Sequence, residues 1–220
     1  MSKRILISFG LLNAVLTITL QAQDVPKLAF NIGGGISTPL NPTAQFAGTS
    51  GNFATGAGYN LDKHNSLGAE FMWNGLPTNL SVLHPINAPF GSVNLYTLTG
   101  TYRYHVDSIS GSPFGLYVIG GGGWYYRYAS VDKNYIIPGG TVCDPYYDWW
   151  GYTCGPSNLL YTQTIAYKGT NAGGVNAGAG FTIRFSDSGW KFYVESRYHY
   201  AWSPRIPTTL IPVTFGIRFN

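Results

Sequence analysis

The chain has 220 residues, enough for one domain built around a single sheet. Only 10% of its residues are charged, against about 25% in ordinary soluble proteins, while 16% are aromatic and 29 are glycine. Removing a leader that holds Lys3 and Arg4 leaves eleven cations against nine acids, a net of +2. That balance, with no basic cluster, excludes a nucleic-acid partner.

Residues 1–23 read as a cleavable secretory signal. Lys3 and Arg4 open it, Ile5 to Leu20 is mostly apolar, and cleavage is expected after Ala22 or Gln23. Eight alternating runs come after it: Lys27–Ser37, Asn52–Leu61, Leu67–Gly75, Ser92–Val106, Phe114–Tyr128, Gly174–Phe185, Trp190–Trp202 and Thr209–Phe219. The last sets Ile211, Val213, Phe215, Ile217 and Phe219 against Leu210, Pro212, Thr214, Gly216 and Arg218. The fourth and seventh runs show the same division, with aromatic and aliphatic residues on one face and Thr, Arg, His and Glu on the other. Such strands are long enough to cross a bilayer when tilted.

Connections alternate. Those at 62–66, 107–113 and 186–189 are short and rich in Asp, Asn, Ser and Gly. Those at 38–51, 76–91 and 129–173 are longer, and 203–208 is built around Pro204 and Pro207. The pattern predicts an all-β fold: a closed eight-stranded antiparallel up-and-down transmembrane β-barrel, residues 24–220, with short periplasmic turns and longer outer loops. Both mature termini are then periplasmic. With the aromatic face outward, Tyr102, Tyr104, Phe114, Phe185, Trp190, Phe192 and Phe219 gather at the periplasmic rim. Trp73, Trp124, Tyr200 and Trp202 gather at the outer one.

The inward face combines glycines with Glu70, Arg103, Arg184, Lys191, Glu195, Arg197 and Arg218. Buried charges need partners, so these seven are expected to form a plug in which arginines hold each glutamate, Glu70–Arg103 being the best single pair. Cys143 and Cys154 are expected to form a disulfide in an oxidising compartment. It would close a ring carrying Tyr146, Tyr147, Trp149, Trp150 and Tyr152, the candidate recognition surface of the third outer loop. No metal or cofactor is expected. The glycine runs Gly33–Gly35 and Gly120–Gly123 lack the lysine and helix start of a phosphate loop.

The strand pattern, the loop alternation and the terminal Val213-Thr-Phe-Gly-Ile-Arg-Phe219 resemble the small outer-membrane barrels of the OmpA-like and opacity-protein-like group. The resemblance covers residues 24–220. It implies a Gram-negative-type outer membrane, contact with membrane lipid and lipopolysaccharide, and a monomer. It also implies recognition by the barrel assembly machinery through Phe215, Ile217 and Phe219, although Asn220 departs from the closing aromatic. The last strand ends the sequence, so peptidoglycan binding is not carried over. The leading expectation is a non-enzymatic structural and surface-interaction protein with an extracellular ligand at the third loop. One alternative is a lipid-modifying barrel enzyme, an acyl hydrolase or transferase using His199 or His105. Ser203 and Glu195 each lie four residues from His199, about 13 Å along a strand, which argues against a triad there. A second alternative is a secreted lipocalin-like barrel. That would need a polar outside, an apolar pocket and a Gly-x-Trp where this chain has Gly33-Gly-Gly-Ile36.

Overall fold

The structure is a computed structural model that describes residues 27–106, 113–145, 152–185 and 189–219, with only the backbone path given over 137–145 and 152–160. The expected signal therefore lies outside the described residues. Eight strands run β1 (Leu28–Pro39), β2 (Ser50–Asn60), β3 (Asn65–Pro77), β4 (Phe90–Val106), β5 (Phe114–Pro145), β6 (Tyr152–Arg184), β7 (Lys191–Ala201) and β8 (Thr208–Phe219). Each pairs antiparallel with its sequence neighbour, and β1 pairs with β8, so the sheet closes. Closure leaves no free edge along the barrel wall. A short helix α1 (Leu80–Leu83) lies in the connection from β3 to β4. No described helix is long and apolar enough to cross a membrane; any crossing is made by strands.

Period-two alternation sets the two faces. On β1, Leu28, Phe30, Ile32 and Ile36 are exposed while Ala29, Asn31 and Ser37 are buried. On β8, Val213, Phe215 and Ile217 are exposed while Thr214 and Arg218 are buried. Apolar side chains thus wrap the outside and polar ones fill the inside, the inverse of a soluble ligand-binding barrel. A lipid-facing wall requires this arrangement.

Ring positions match the expected girdles. At the rim of the short turns, Trp190 packs on Phe219 at 5.2 Å and Phe219 stacks on Phe30 at 5.6 Å. At the opposite rim, Trp124 stacks on Tyr126 at 5.7 Å and Tyr200 meets Trp202 edge-on at 5.7 Å. The indoles of Trp73 and Trp124 donate to Asn94 Oδ1 and Asn171 Oδ1, both at 3.0 Å, so neither ring faces the apolar belt with an idle N–H.

One expectation fails. The third long connection is not a loop over 129–173. β5 and β6 continue as a ladder to Pro145↔Tyr152, with irregularities at Val131/Asp132 and Pro138/Thr141. β4 accompanies β5 only to Asp132, and β7 accompanies β6 only from Gly174 onward. Beyond those points the pair is a two-stranded ribbon, and β5 continues about 40 Å past the end of β4 at the usual strand rise. The lipid-facing alternation stops there: residues 161–169 are exposed on both faces. Outside a bilayer neither face of a ribbon need be apolar, so the period-two signal that marks a strand disappears.

Candidate functional site: the charged lumen and the ribbon

Five of the seven predicted lumen charges meet in one buried cluster. Glu70 on β3 and Glu195 on β7 are each 3% exposed. Arg197 bridges them, its guanidinium 2.5 Å from Glu70 Oε1 and also paired with Glu195 Oε1. Arg103 on β4 lies 3.3 Å from Glu70 Oε2 and 3.8 Å from Glu195 Oε2. Arg218 on β8 lies 3.9 Å from Glu195 Oε2. Glu70–Arg103 is therefore formed, but Arg197 makes the closer contact. Three guanidiniums face two carboxylates.

Two tyrosines complete the cluster. Tyr117 donates to Glu195 Oε2 at 2.8 Å. The Arg218 guanidinium lies between the Tyr117 and Tyr193 rings, 4.9 and 5.1 Å from their centroids, which favours a desolvated cation. Asn31 Nδ2 donates to Glu70 Oε2 at 3.4 Å. Facing glycines make the room: a Cβ on Gly180 would lie 2.5 Å from the Tyr117 ring, and one on Gly33 would lie 2.5 Å from the Tyr193 hydroxyl. The sequence reading missed Tyr117. Parity with Phe114 and Trp124 already placed Tyr117 inward, but the expected network was drawn from charged residues alone.

Arg184 and Lys191 do not join this cluster, contrary to expectation. They are cross-strand partners at the rim of the short turns, Arg184 exposed and Lys191 half-buried, and they line a cavity of about 350 Å3 below it. At the same rim Asp62 accepts from the Asn65 side chain and from the backbone N–H groups of His64 and Asn65. Those bonds, the Asn65 side chain first, hold its carboxyl below the ordinary 3.8.

Toward the other rim the lumen sets a hydrogen-bonded polar group, Ser37, Asn52 and Asn74, beside an apolar one. Leu95, Tyr125, Ala201 and Leu210 form a buried plug. Just inside it sits His199, 1% exposed, its Nδ1 3.0 Å from the Tyr125 hydroxyl. His105 packs on the Tyr117 ring at 5.5 Å. Neither histidine is hydrogen-bonded to a described serine or threonine hydroxyl, the contact a nucleophile–base pair needs.

Of the ribbon residues, Cys143 and Cys154 are ladder partners across β5 and β6. Tyr146, Tyr147, Trp149 and Trp150 lie outside the described residues, and Tyr152 begins β6. Phe215 and Ile217 are exposed on the belt, and Phe219 closes β8 in the aromatic cluster with Phe30 and Trp190.

No protein-family model matches the chain, and no curated protein sequence matches it. Among solved structures it is similar to Neisserial surface protein A, with a TM-score of 0.50 and 14% identity over 87% of this chain and 96% of that one. It is also similar to Ail, the attachment invasion locus protein of Yersinia pestis, with a TM-score of 0.46 and 11% identity over 88% of this chain and 100% of that one. The N-terminal β-barrel domain of Pseudomonas aeruginosa OprF gives a TM-score of 0.39 and 13% identity over 88% and 98%. At such identities the likeness to the Neisserial protein is one of fold.

Proposed function

We propose that the protein is a non-enzymatic barrel of a Gram-negative-type outer membrane, with a structural role in the wall and a surface-interaction role in the ribbon. The observation that carries the reading is the lumen. The Glu70–Arg197–Glu195 cluster and the Leu95–Tyr125–Leu210 plug lie in series along it, which supports a lumen filled by side chains rather than a pore or a reaction chamber. The apolar belt and aromatic rims fit membrane lipid and lipopolysaccharide as surroundings. In the proposed orientation the short turns and both mature termini are periplasmic, and the ribbon stands outside the cell. The barrel acts as a monomer, and the barrel assembly machinery recognises Phe215, Ile217 and Phe219.

The ribbon is the recognition element. Tyr146, Tyr147, Trp149, Trp150 and Tyr152, in the sequence that joins β5 to β6, would give an extracellular ligand large rigid contact area. The register Cys143↔Cys154 supports a disulfide that staples this end.

Membrane fractionation with a heat-modifiability gel tests the assignment. The protein is expected in the outer-membrane fraction, with unboiled and boiled samples migrating differently. Recovery in the soluble periplasm, or identical migration, would refute the barrel. Surface orientation is read on intact cells: added protease should clip within 133–173 and leave the rest of the barrel whole. A ribbon clipped only after cell lysis would reverse the orientation.

A further inference from the structure

Above the apolar plug, at the rim of the long connections, lies a second cavity of about 660 Å3. Three cations from three elements line it: Arg127 of β5, Lys168 of β6, and Arg205 of the segment between β7 and β8. No carboxylate lines it. Asp132, farther along β5, already accepts from Thr164 Oγ1 at 2.7 Å. The remaining wall is largely apolar, with Phe46, Val93, Pro204 and Ile206. The plug of Leu95, Tyr125, Ala201 and Leu210 lies deeper in the lumen and floors the cavity, which forms a cup.

The cup is built in advance of any ligand. Arg127 Nη1 donates to Thr208 Oγ1 at 3.0 Å and to the Ile206 carbonyl at 3.4 Å, tying β5 to the segment before β8. Thr43 Oγ1 accepts from the Thr209 backbone N–H at 2.8 Å and donates to the Pro207 carbonyl at 3.2 Å, tying down the first long connection. Arg205 carries the second observation. Its φ is +69°, a left-handed conformation that is uncommon for a non-glycine residue and costs free energy. Packing does not call for an arginine there, since the residue is exposed. A glycine would occupy that backbone without cost, so the side chain itself is what arginine adds at the mouth.

We propose that this cup binds a soluble amphipathic phosphate ester, an apolar body of small-molecule size bearing one dianionic group. Charge fixes the anion: three cations and no acid surround the space. The apolar wall fixes the body, and the volume lies in the range of small-molecule sites. Position fixes solubility. Val93, Arg127 and Ala129 share the inward register of Leu95 and Tyr125 on β4 and β5, so this wall of the cup lies on the lumen side and away from the lipid-facing belt. A bilayer lipid cannot reach it without leaving the membrane. The inference depends on the functional reading above only for which side of the membrane the mouth faces, and a binding assay on purified barrel is indifferent to that.

The test is isothermal titration calorimetry of the full-length chain in dodecyl maltoside with 2-naphthyl phosphate as the probe. Inorganic phosphate and the neutral 2-naphthyl glucoside are the comparators. Saturable binding of the ester is expected, with each comparator at least fivefold weaker. Arg205→Gly and Lys168→Gln should each weaken the ester at least fivefold while keeping the heat-modifiability shift. Arg205→Gly puts glycine where the backbone already suits it, and Lys168 is exposed, so both variants should fold. On the unaltered protein, raising sodium chloride from about 0.05 M to about 0.5 M should also weaken binding at least fivefold, since part of the attraction is screened. No saturable binding overturns the proposal, as does a loss under fivefold in both variants or no salt effect. Inorganic phosphate bound as tightly as the ester overturns the apolar component. The glucoside bound as tightly overturns the anionic one.

Discussion

Replacing Arg197 with methionine tests whether the lumen is held by its charges. The guanidinium is 2% exposed and contacts both glutamates. Methionine keeps much of the volume and removes the charge. Glu70 and Glu195 would retain Arg103 at 3.3 and 3.8 Å, and Glu195 would retain Arg218 at 3.9 Å. Of these, only the Arg103–Glu70 contact is within ordinary hydrogen-bonding range. Removing one partner of a buried ion pair costs about 3–5 kcal/mol; here two guanidiniums still face the two carboxylates, so the loss comes from the two close contacts to Arg197 rather than from an unbalanced charge. At 1.4 kcal/mol per factor of ten, that lowers the folding equilibrium constant by roughly 150- to 4,000-fold. The assay is urea unfolding in lipid vesicles, monitored by tryptophan fluorescence and by the gel shift. An unchanged midpoint in Arg197→Met would show that packing rather than ion pairing holds the lumen.

Gly180→Ala should lower the unfolding midpoint by an amount typical of overpacking, about 1–3 kcal/mol, because its Cβ would meet the Tyr117 ring at 2.5 Å and the Val194 carbonyl at 2.8 Å; a neutral result would mean that Tyr117 moves freely. His199→Ala and His105→Ala should leave the lipid A and phospholipid profile of the outer membrane unchanged, and an altered acylation pattern in either would revive the enzyme reading. Non-reducing mass spectrometry should find Cys143 linked to Cys154, and two free thiols in protein taken from the oxidising compartment would refute the staple. Asp62 is held below its ordinary 3.8 by the Asn65 side chain and two backbone N–H groups. A depressed carboxylate contributes stability above the unfolded pKa and loses it as pH falls through the folded one. The unfolding midpoint of the native protein should therefore drop more than that of Asp62→Asn between about pH 5 and pH 2, and parallel curves would show that the turn bonds do not favour the charged form.

The sequence was most legible where lipid constrains it. A wall with hydrocarbon outside and a narrow lumen inside forces every strand to alternate, so orientation, strand count and aromatic rims could be read from residues such as Phe192, Val194 and Ile217. The charge cluster was partly legible for the same reason: Glu70, Arg103, Glu195, Arg197 and Arg218 sit at inward positions of four strands. Arg184 and Lys191 share that parity but stand too near the rim to reach the cluster. Alternation gives a side chain's face and not its depth. The apolar plug escaped notice because Leu95, Ala201 and Leu210 fall among inward polar residues, and their convergence depends on barrel registers that no single strand contains. The cup escaped for a related reason: Arg127, Lys168 and Arg205 are far apart in the chain and adjacent only once the barrel closes.

The ribbon, standing clear of the closed wall, meets a different constraint. A two-stranded ribbon has two unpaired edges, and unpaired edges recruit other strands. Between Lys133 and Gly173 the chain carries Pro138, Pro145 and Pro156 together with Gly139 and Gly140. Proline lacks the donor that a docking strand would pair with, and glycine weakens the regular pleat. The irregularity between Pro138 and Thr141 interrupts the ladder at the same place. These features blunt the edges without shortening the ribbon. At its base the ribbon is no separate module, because β5 and β6 are each paired on both sides within the barrel, to β4 and β7 respectively. The two strands therefore run on from the membrane wall toward the aromatic end as one paired unit. An extension that resists strand pairing along its length yet is rooted in a closed barrel suits the proposed recognition through side chains better than backbone addition along its edge.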